Sequence, residues 1–179
     1  GLTTFGYSGD VTFPMKIFVE DPTKDTNLAL RLDTMVCNEI CIPQSLSLSM
    51  NIPAGSAQAS KNARLIEFAN TKVPSIEDYN DLKIENITLG PDAIVINAYS
   101  PRGFDGSDVF VEFGEYALTE KPSFEVPLDD EKRAMIVVPL SDAVKEEYGN
   151  TAPAPYSDVD IKVTLTNGRK AVERTLVIN

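Results

Sequence analysis

The sequence predicts an all-β chain: immunoglobulin-like β-sandwich units, the first of them incomplete, joined by a short helix. Three observations carry this. Apolar and polar residues alternate with period two over several short runs, the pattern of half-buried strands. Turn formers punctuate those runs, with 10 glycines and 12 prolines among 179 residues. Hydrophobic residues make up 42% and charged residues 24%, enough to bury a core.

The elements follow in order. Phe13 and Pro14 to Val19 read as a strand with proline near its start. Leu28, Leu30 and Leu32 alternate with Ala29 and Arg31, and Leu46, Leu48, Met50 and Ile52 with Ser47, Ser49 and Asn51. Both runs read as half-buried strands, and Met50 falls on an inward, core-packing face. Ser56 then caps a helix over 57–71, with Ala59, Ala63, Ile66 and Ala69 on one face, ended by Val73-Pro74. Strands resume at Leu82–Leu89, Ala93–Ser100, Asp108–Phe113, Arg133–Leu140, Val159–Thr166 and Arg169–Ile178. Asn167-Gly168 predicts a type I′ hairpin between the last two. Ser141 to Tyr148 reads as a helical turn, and Thr151 to Pro155 as a rigid loop.

Charge divides the chain in the same way. Residues 1–75 carry six basic and seven acidic side chains, whereas residues 76–179 carry ten and twenty. The expected units are therefore 1–55, a helical linker at 56–75, and a second β-sandwich at 76–179. Some 55 residues with about three strands do not close a sandwich. Their strands need further segments, the second unit or another chain. The chain opens at Gly1 rather than Met, which reads as a processed or excised form.

Composition also excludes functions. The net charge of −11 repels phosphate backbones and anionic lipid, so no nucleic-acid partner is expected. No apolar run approaches the roughly 20 residues that span a bilayer. The sequence has no histidine, which removes Ser-His, Cys-His and His-ligated metal chemistry.

The chemistry then falls to Cys37 and Cys41, the only cysteines, within Met35-Val36-Cys37-Asn38-Glu39-Ile40-Cys41-Ile42-Pro43 between two strands. Three readings stand. The pair is a structural staple, although so short a loop yields little entropic gain. It is a redox-active dithiol, since tight loops favour labile disulfides. Or the two thiolates, with Met35 and Met50, hold Cu(I). Glu39 between the cysteines favours thiol over thiolate.

The segments Phe5-Gly6-Tyr7, Val11-Thr12-Phe13-Pro14-Met15, Val36 to Pro43 and Leu46 to Gly55 carry a resemblance. Together they resemble the periplasmic N-terminal region of DsbD-type thiol:disulfide interchange proteins. They are closest to the suppressor of copper sensitivity protein B branch, with its V-C-x-E-x-C-x-P spacing. The resemblance covers roughly residues 5–55, and the region after Pro74 matches no motif.

It implies an immunoglobulin-like redox domain in the periplasm, with Cys37 and Cys41 as a protein-disulfide reductase pair. Electrons would come from a membrane-embedded domain of the same polypeptide and pass to thioredoxin-like or disulfide-isomerase-like partners. Such proteins serve cytochrome c biogenesis and copper tolerance. Within the matched segments, Phe5 and Tyr7 read as core or rim residues first and as a shield over the pair second, and Pro43 either fixes the exit of the loop or starts the next strand. The family has further strands, and in the DsbD type a cap loop, ahead of the Phe-Gly-Tyr segment, so a truncated first unit is expected.

Other motifs read as structure. Asp129-Asp130-Glu131 and Glu146-Glu147 are solvated faces rather than acid/base pairs. Asp105-Gly106-Ser107-Asp108 is a turn that lacks the EF-hand ligand spacing. Pro101-Arg102-Gly103-Phe104 is a loop with an exposed aromatic. No cofactor is expected. The leading function is a thiol–disulfide oxidoreductase module. The alternative is a non-catalytic secreted β-sandwich interaction module with a structural disulfide.

Overall fold

A computed structural model describes residues 5–149 and 155–178. The chain forms two compact units, one of Phe13–Glu67 and one of Phe68–Asn179 with the segment up to Thr12. The division falls inside the first helix, α1 (Ala63–Asn70).

The smaller unit holds a single hairpin among its described residues, β1 (Thr26–Cys37) with β2 (Cys41–Ile52). The two strands pair in register from Thr26↔Ile52 to Cys37↔Cys41 without a break. As a sandwich the unit is incomplete. β1 alternates half-buried and exposed positions, but β2 is exposed along nearly its whole length. Met50, expected inside a core, is 58% exposed because no second sheet lies over its face in this unit.

The expected strand at 13–19 forms no ladder pairing, and Pro14 has no N–H to give one. The helix is shorter than its composition predicted. It begins at Ala63, and Ser60 rather than Ser56 turns the chain into it, with Ala63 N donating to Ser60 O at 3.0 Å.

The larger unit is a two-sheet sandwich. Its strands are β3 (Lys83–Leu89), β4 (Ala93–Tyr99), β5 (Asp108–Phe113), β6 (Tyr116–Leu118), β7 (Ser123–Glu125), β8 (Arg133–Pro139), β9 (Val159–Asn167) and β10 (Lys170–Ile178). The sheet orders are β3-β4-β8-β7 and β10-β9-β5-β6, all antiparallel. Taken in chain order as A, B, C, C′, D, E, F and G, these sheets are ABED and GFCC′, the immunoglobulin arrangement.

Alternation builds the core. Ile94, Ile96 and Ala98 of β4 point inward, as do Ala134, Ile136 and Val138 of β8, all buried. Across from them lie Val111 and Phe113 of β5 and Ile161, Val163 and Leu165 of β9. Short strands β6 and β7 escaped the sequence reading because three residues are too few to show a period.

The ends of the sandwich are closed by specific contacts. α2 (Asp142–Tyr148) starts where Ser141 Oγ accepts from Val144 N, the helical turn that was expected. Tyr148 and Tyr156 pack on Phe113, with ring centres at 5.6 and 5.7 Å. Tyr156 Oη donates to Pro91 O at 3.0 Å, pinning the β8–β9 connection to the β3–β4 turn. The expected loop at 151–155 lies almost wholly outside the described residues.

The last hairpin corrects a turn assignment. Asn167 is not a turn residue but the final residue of β9, paired with Lys170. Gly168 and Arg169 form the turn, and of the two Gly168 alone has positive φ, at 63°. That is the type II′ pattern. Asn167 is buried instead, its Nδ2 donating to Ser100 Oγ (3.1 Å) and Gly103 O (2.8 Å). The same β4–β5 connection buries Phe104, expected to be exposed, against the core at 8% accessibility. Asp105 to Asp108 is the expected turn, with Ser107 N donating to Phe104 O at 3.0 Å.

Ion pairs tie surface segments to this frame. Asp81 meets Lys170 and, at 3.5 Å, Arg102. The Lys170 hydrogen bond holds the Asp81 carboxyl below the usual carboxylate range, and Arg133, at 2.7 Å, does the same for Asp130. A lowered folded pKa gives stability above the unfolded value of about 3.9 and loses it as pH falls through the folded value. Thermal melts followed by far-UV circular dichroism should therefore hold steady from pH 7 to about pH 5 and drop below about pH 4. Asp81→Asn should lower the melting temperature at pH 7 and shrink that acid drop.

Phe113 is fully buried, so Phe113→Ala should cost about 3–5 kcal/mol in urea unfolding. Leu48→Ala, on the exposed hairpin, should leave the sandwich transition unmoved.

Candidate functional site

The hairpin register decides which side chains share a face, because successive residues of a strand alternate sides. One face carries Leu28, Leu30, Leu32 and Val36 from β1, with Ile42, Leu46, Leu48, Met50 and Ile52 from β2. The other carries Asn27, Ala29, Arg31, Asp33, Met35 and Cys37, opposite Cys41, Pro43, Ser45, Ser47, Ser49 and Asn51. The polar face is laced with hydrogen bonds. Ser45 Oγ donates to Asp33 Oδ1 at 2.5 Å, and Asn51 Nδ2 to Asn27 Oδ1 at 3.0 Å.

Cys37 and Cys41 form a disulfide at the tip of this polar face. They are direct cross-strand partners with Cα atoms 4.0 Å apart, the close spacing of a pair that exchanges no ladder hydrogen bonds. Met35↔Pro43 lies two positions along and shares that parity. The missing N–H of Pro43 therefore costs the hairpin nothing, which explains a proline inside a twelve-residue strand. Asn38, Glu39 and Ile40 make the loop, closed by Asn38 N donating to Ile40 O at 3.1 Å.

Both cysteines are exposed. An apolar collar rings the hairpin tip: Met35, 67% exposed on the disulfide's face, Ile40, 72% exposed in the loop, and Val36 and Ile42, more than half exposed on the opposite face. From Thr34 to Leu46 the one charged residue is Glu39. The sequence reading missed this collar. Its signal was available in the strand parity, which separates Met35 from Val36 and Ile42.

The expected site residues thus divide. Cys37, Cys41, Glu39 and Pro43 meet at one hairpin end. Phe5 and Tyr7 belong to the other compact unit, where the Phe5 ring stands edge-on to Phe110 at 5.1 Å and Tyr7 is exposed. The two methionines also separate. Met35 shares the disulfide's face next to Cys37, whereas Met50 faces the other way near the far end of the hairpin, opposite Leu28. Among the described residues no three cysteine, aspartate or glutamate side chains cluster. The acidic runs are surface features as expected: Asp130 pairs with Arg133, and Glu147 accepts from Tyr116 Oη at 2.6 Å.

An exposed disulfide should need no unfolding to react. We expect millimolar dithiothreitol to open Cys37–Cys41 at the same rate with and without sub-denaturing urea, as read by thiol alkylation and mass spectrometry. The melting temperature of the sandwich should stay unchanged.

Residues 72–179 match a family described as a domain of unknown function, DUF8393, and the chain belongs to that family. No curated protein matches it.

Proposed function

We propose that this DUF8393 chain is a thiol–disulfide exchange module whose working group is the Cys37–Cys41 pair. One observation carries the reading: the disulfide sits on an exposed hairpin tip, outside any core, within an apolar collar. A disulfide is exchanged by in-line attack of a thiolate on one sulfur, so access decides whether it reacts at all. Burial would forbid that approach.

The chemistry balances without a cofactor. In the reduced state one cysteine thiolate attacks a partner's disulfide. A mixed disulfide forms and the partner's second sulfur leaves as a thiolate. The other cysteine then attacks the mixed disulfide, releasing the partner as a dithiol and restoring Cys37–Cys41. Two electrons pass to the partner, and an incoming dithiol must resupply them. The resemblance of residues 5–55 assigns that supply to a membrane-embedded domain of the same polypeptide. It assigns the output to thioredoxin-like or disulfide-isomerase-like proteins in the periplasm. The apolar collar supports a protein partner over a charged small thiol, since interface centres favour apolar and uncharged side chains.

The test is the reduction potential, by equilibration with glutathione or dithiothreitol and quantification by mass. We expect a value well above about −300 mV, the mark of an exchange-competent pair. A value below it would make the disulfide a staple and the chain an interaction module. Single Cys37→Ser and Cys41→Ser variants should differ in trapping a mixed disulfide with a thioredoxin-like protein, one accumulating it and the other not.

A further inference from the structure

We propose that Glu39 selects the charge of the partner, and that the segment exchanging with Cys37–Cys41 is an apolar stretch carrying lysine or arginine beside its cysteine. The proposal rests on the exchange reading and names the substrate class of that same site.

Three observations carry it. First, Glu39 is the middle residue of the loop Asn38-Glu39-Ile40 that joins the two bonded cysteines, two positions from each, and it is exposed. Second, it is the one charge of the hairpin left without a partner. Between Thr26 and Ile52 the charged side chains are Arg31, Asp33 and Glu39. Arg31 pairs with Asp33 at 3.2 Å, whereas among the described residues of its own unit Glu39 enters no ion pair. Arg31 also lies six positions before Cys37 on β1. That is about 20 Å along an extended strand, well beyond the screening length of about 8 Å at physiological salt. The field at the sulfurs is therefore set by Glu39.

Third, the tip is otherwise apolar. Met35, Val36, Ile40 and Ile42 expose their side chains there, so a docking partner expels water and the remaining charge acts more strongly. The reaction itself is sensitive to that charge. A partner thiolate attacks one sulfur of Cys37–Cys41, and the bond between the two cysteines breaks. The partner's sulfur stays bound, and the electron pair leaves on the other cysteine, which takes a proton from water. While this happens one negative charge is shared along three sulfurs beside a carboxylate. A lysine or arginine next to the partner's cysteine offsets both, and an acidic neighbour opposes both. The same holds when electrons flow the other way, because the same three sulfurs are in line.

Two synthetic peptides test this. Each has one cysteine between leucines, flanked by two lysines in one and by two glutamates in the other. Excess peptide thiol opens Cys37–Cys41 in the full chain, followed by mass spectrometry at about 0.15 M salt, where distant charges are screened. Dividing each rate by that of the same peptide with neutral 2-hydroxyethyl disulfide removes its intrinsic reactivity. We expect the lysine peptide to react about fivefold faster than the glutamate peptide. Glu39→Gln should bring the ratio to within about twofold of one, and Glu39→Lys should reverse it. Asp129→Asn, at an exposed acid of the other unit, should leave the ratio unchanged.

Equal rates for the two peptides overturn the proposal and leave the exchange reading standing. So does a lysine preference that survives Glu39→Gln, which would assign it to the net charge of the whole chain. If neither peptide opens a disulfide that dithiothreitol opens, the exchange reading fails and this proposal falls with it.

Discussion

The register of the β1–β2 ladder is the constraint on which the functional reading turns. Moving one strand by a single residue would exchange its faces, setting serines among leucines and breaking the opposition of Cys37 and Cys41. The disulfide fixes one end of that register covalently. Cross-strand leucines such as Leu30↔Leu48 hold the middle, and the Asn27–Asn51 hydrogen bond marks the far end. Pro43 fits only one parity, because its ring nitrogen must face away from β1. Three different kinds of interaction therefore agree on one alignment, and that alignment places the sulfurs on the polar face.

The sandwich unit solves a different problem in a more usual way. Its two sheets bury each other's apolar faces, and its loops are pinned by side chains rather than by covalent links. Asn167 shows how. By turning inward to Ser100 and Gly103 it ties the β9–β10 hairpin to the β4–β5 connection. Asp81 adds an exposed clamp through Lys170 and Arg102. A buried amide with both donations satisfied stabilises and specifies, while exposed ion pairs contribute little each. The hairpin unit has no such core, so its order rests on the ladder and on whatever covers its leucines.

The sandwich was largely legible in the sequence because period-two alternation survives in β4, β5, β8 and β9, although a bulge between Ile84 and Asn86 breaks it in β3. Asp108–Phe113 was placed without error, and five other strands to within a residue at either end. Three-residue strands carry no period and were missed. The turn at Asn167 was misread because the local preference for Asn-Gly yielded to a buried hydrogen-bond demand some 64 residues away in sequence, a tertiary effect invisible to local pattern. The hairpin was legible in alternation but not in burial. The same leucine pattern serves a strand inside a sandwich and a strand with an open face, and Met50 was placed inward on that ground. At the disulfide, the spacing of the cysteines and of Pro43 revealed the loop, while the collar of Met35, Val36, Ile40 and Ile42 was missed, although the period of Leu28, Leu30 and Leu32 carried on to Val36 gives its parity.

That collar bears on how exchange would be driven. Low-pKa thiols are made by nearby cations, by helix N-termini or by metals. From Thr34 to Leu46 the chain has no cation, and both cysteines lie on strands. The hairpin therefore does little to activate its own sulfurs. On the proposed exchange it would offer an exposed disulfide and an apolar surface from which a partner would displace water on docking. Exclusion of water strengthens whatever electrostatics the partner brings to the reacting sulfurs. In such an arrangement the partner's own thiolate chemistry sets the rate, and the hairpin sets who can approach. On that reading selectivity would reside in Met35, Val36, Ile40 and Ile42 rather than in the acidity of Cys37 or Cys41.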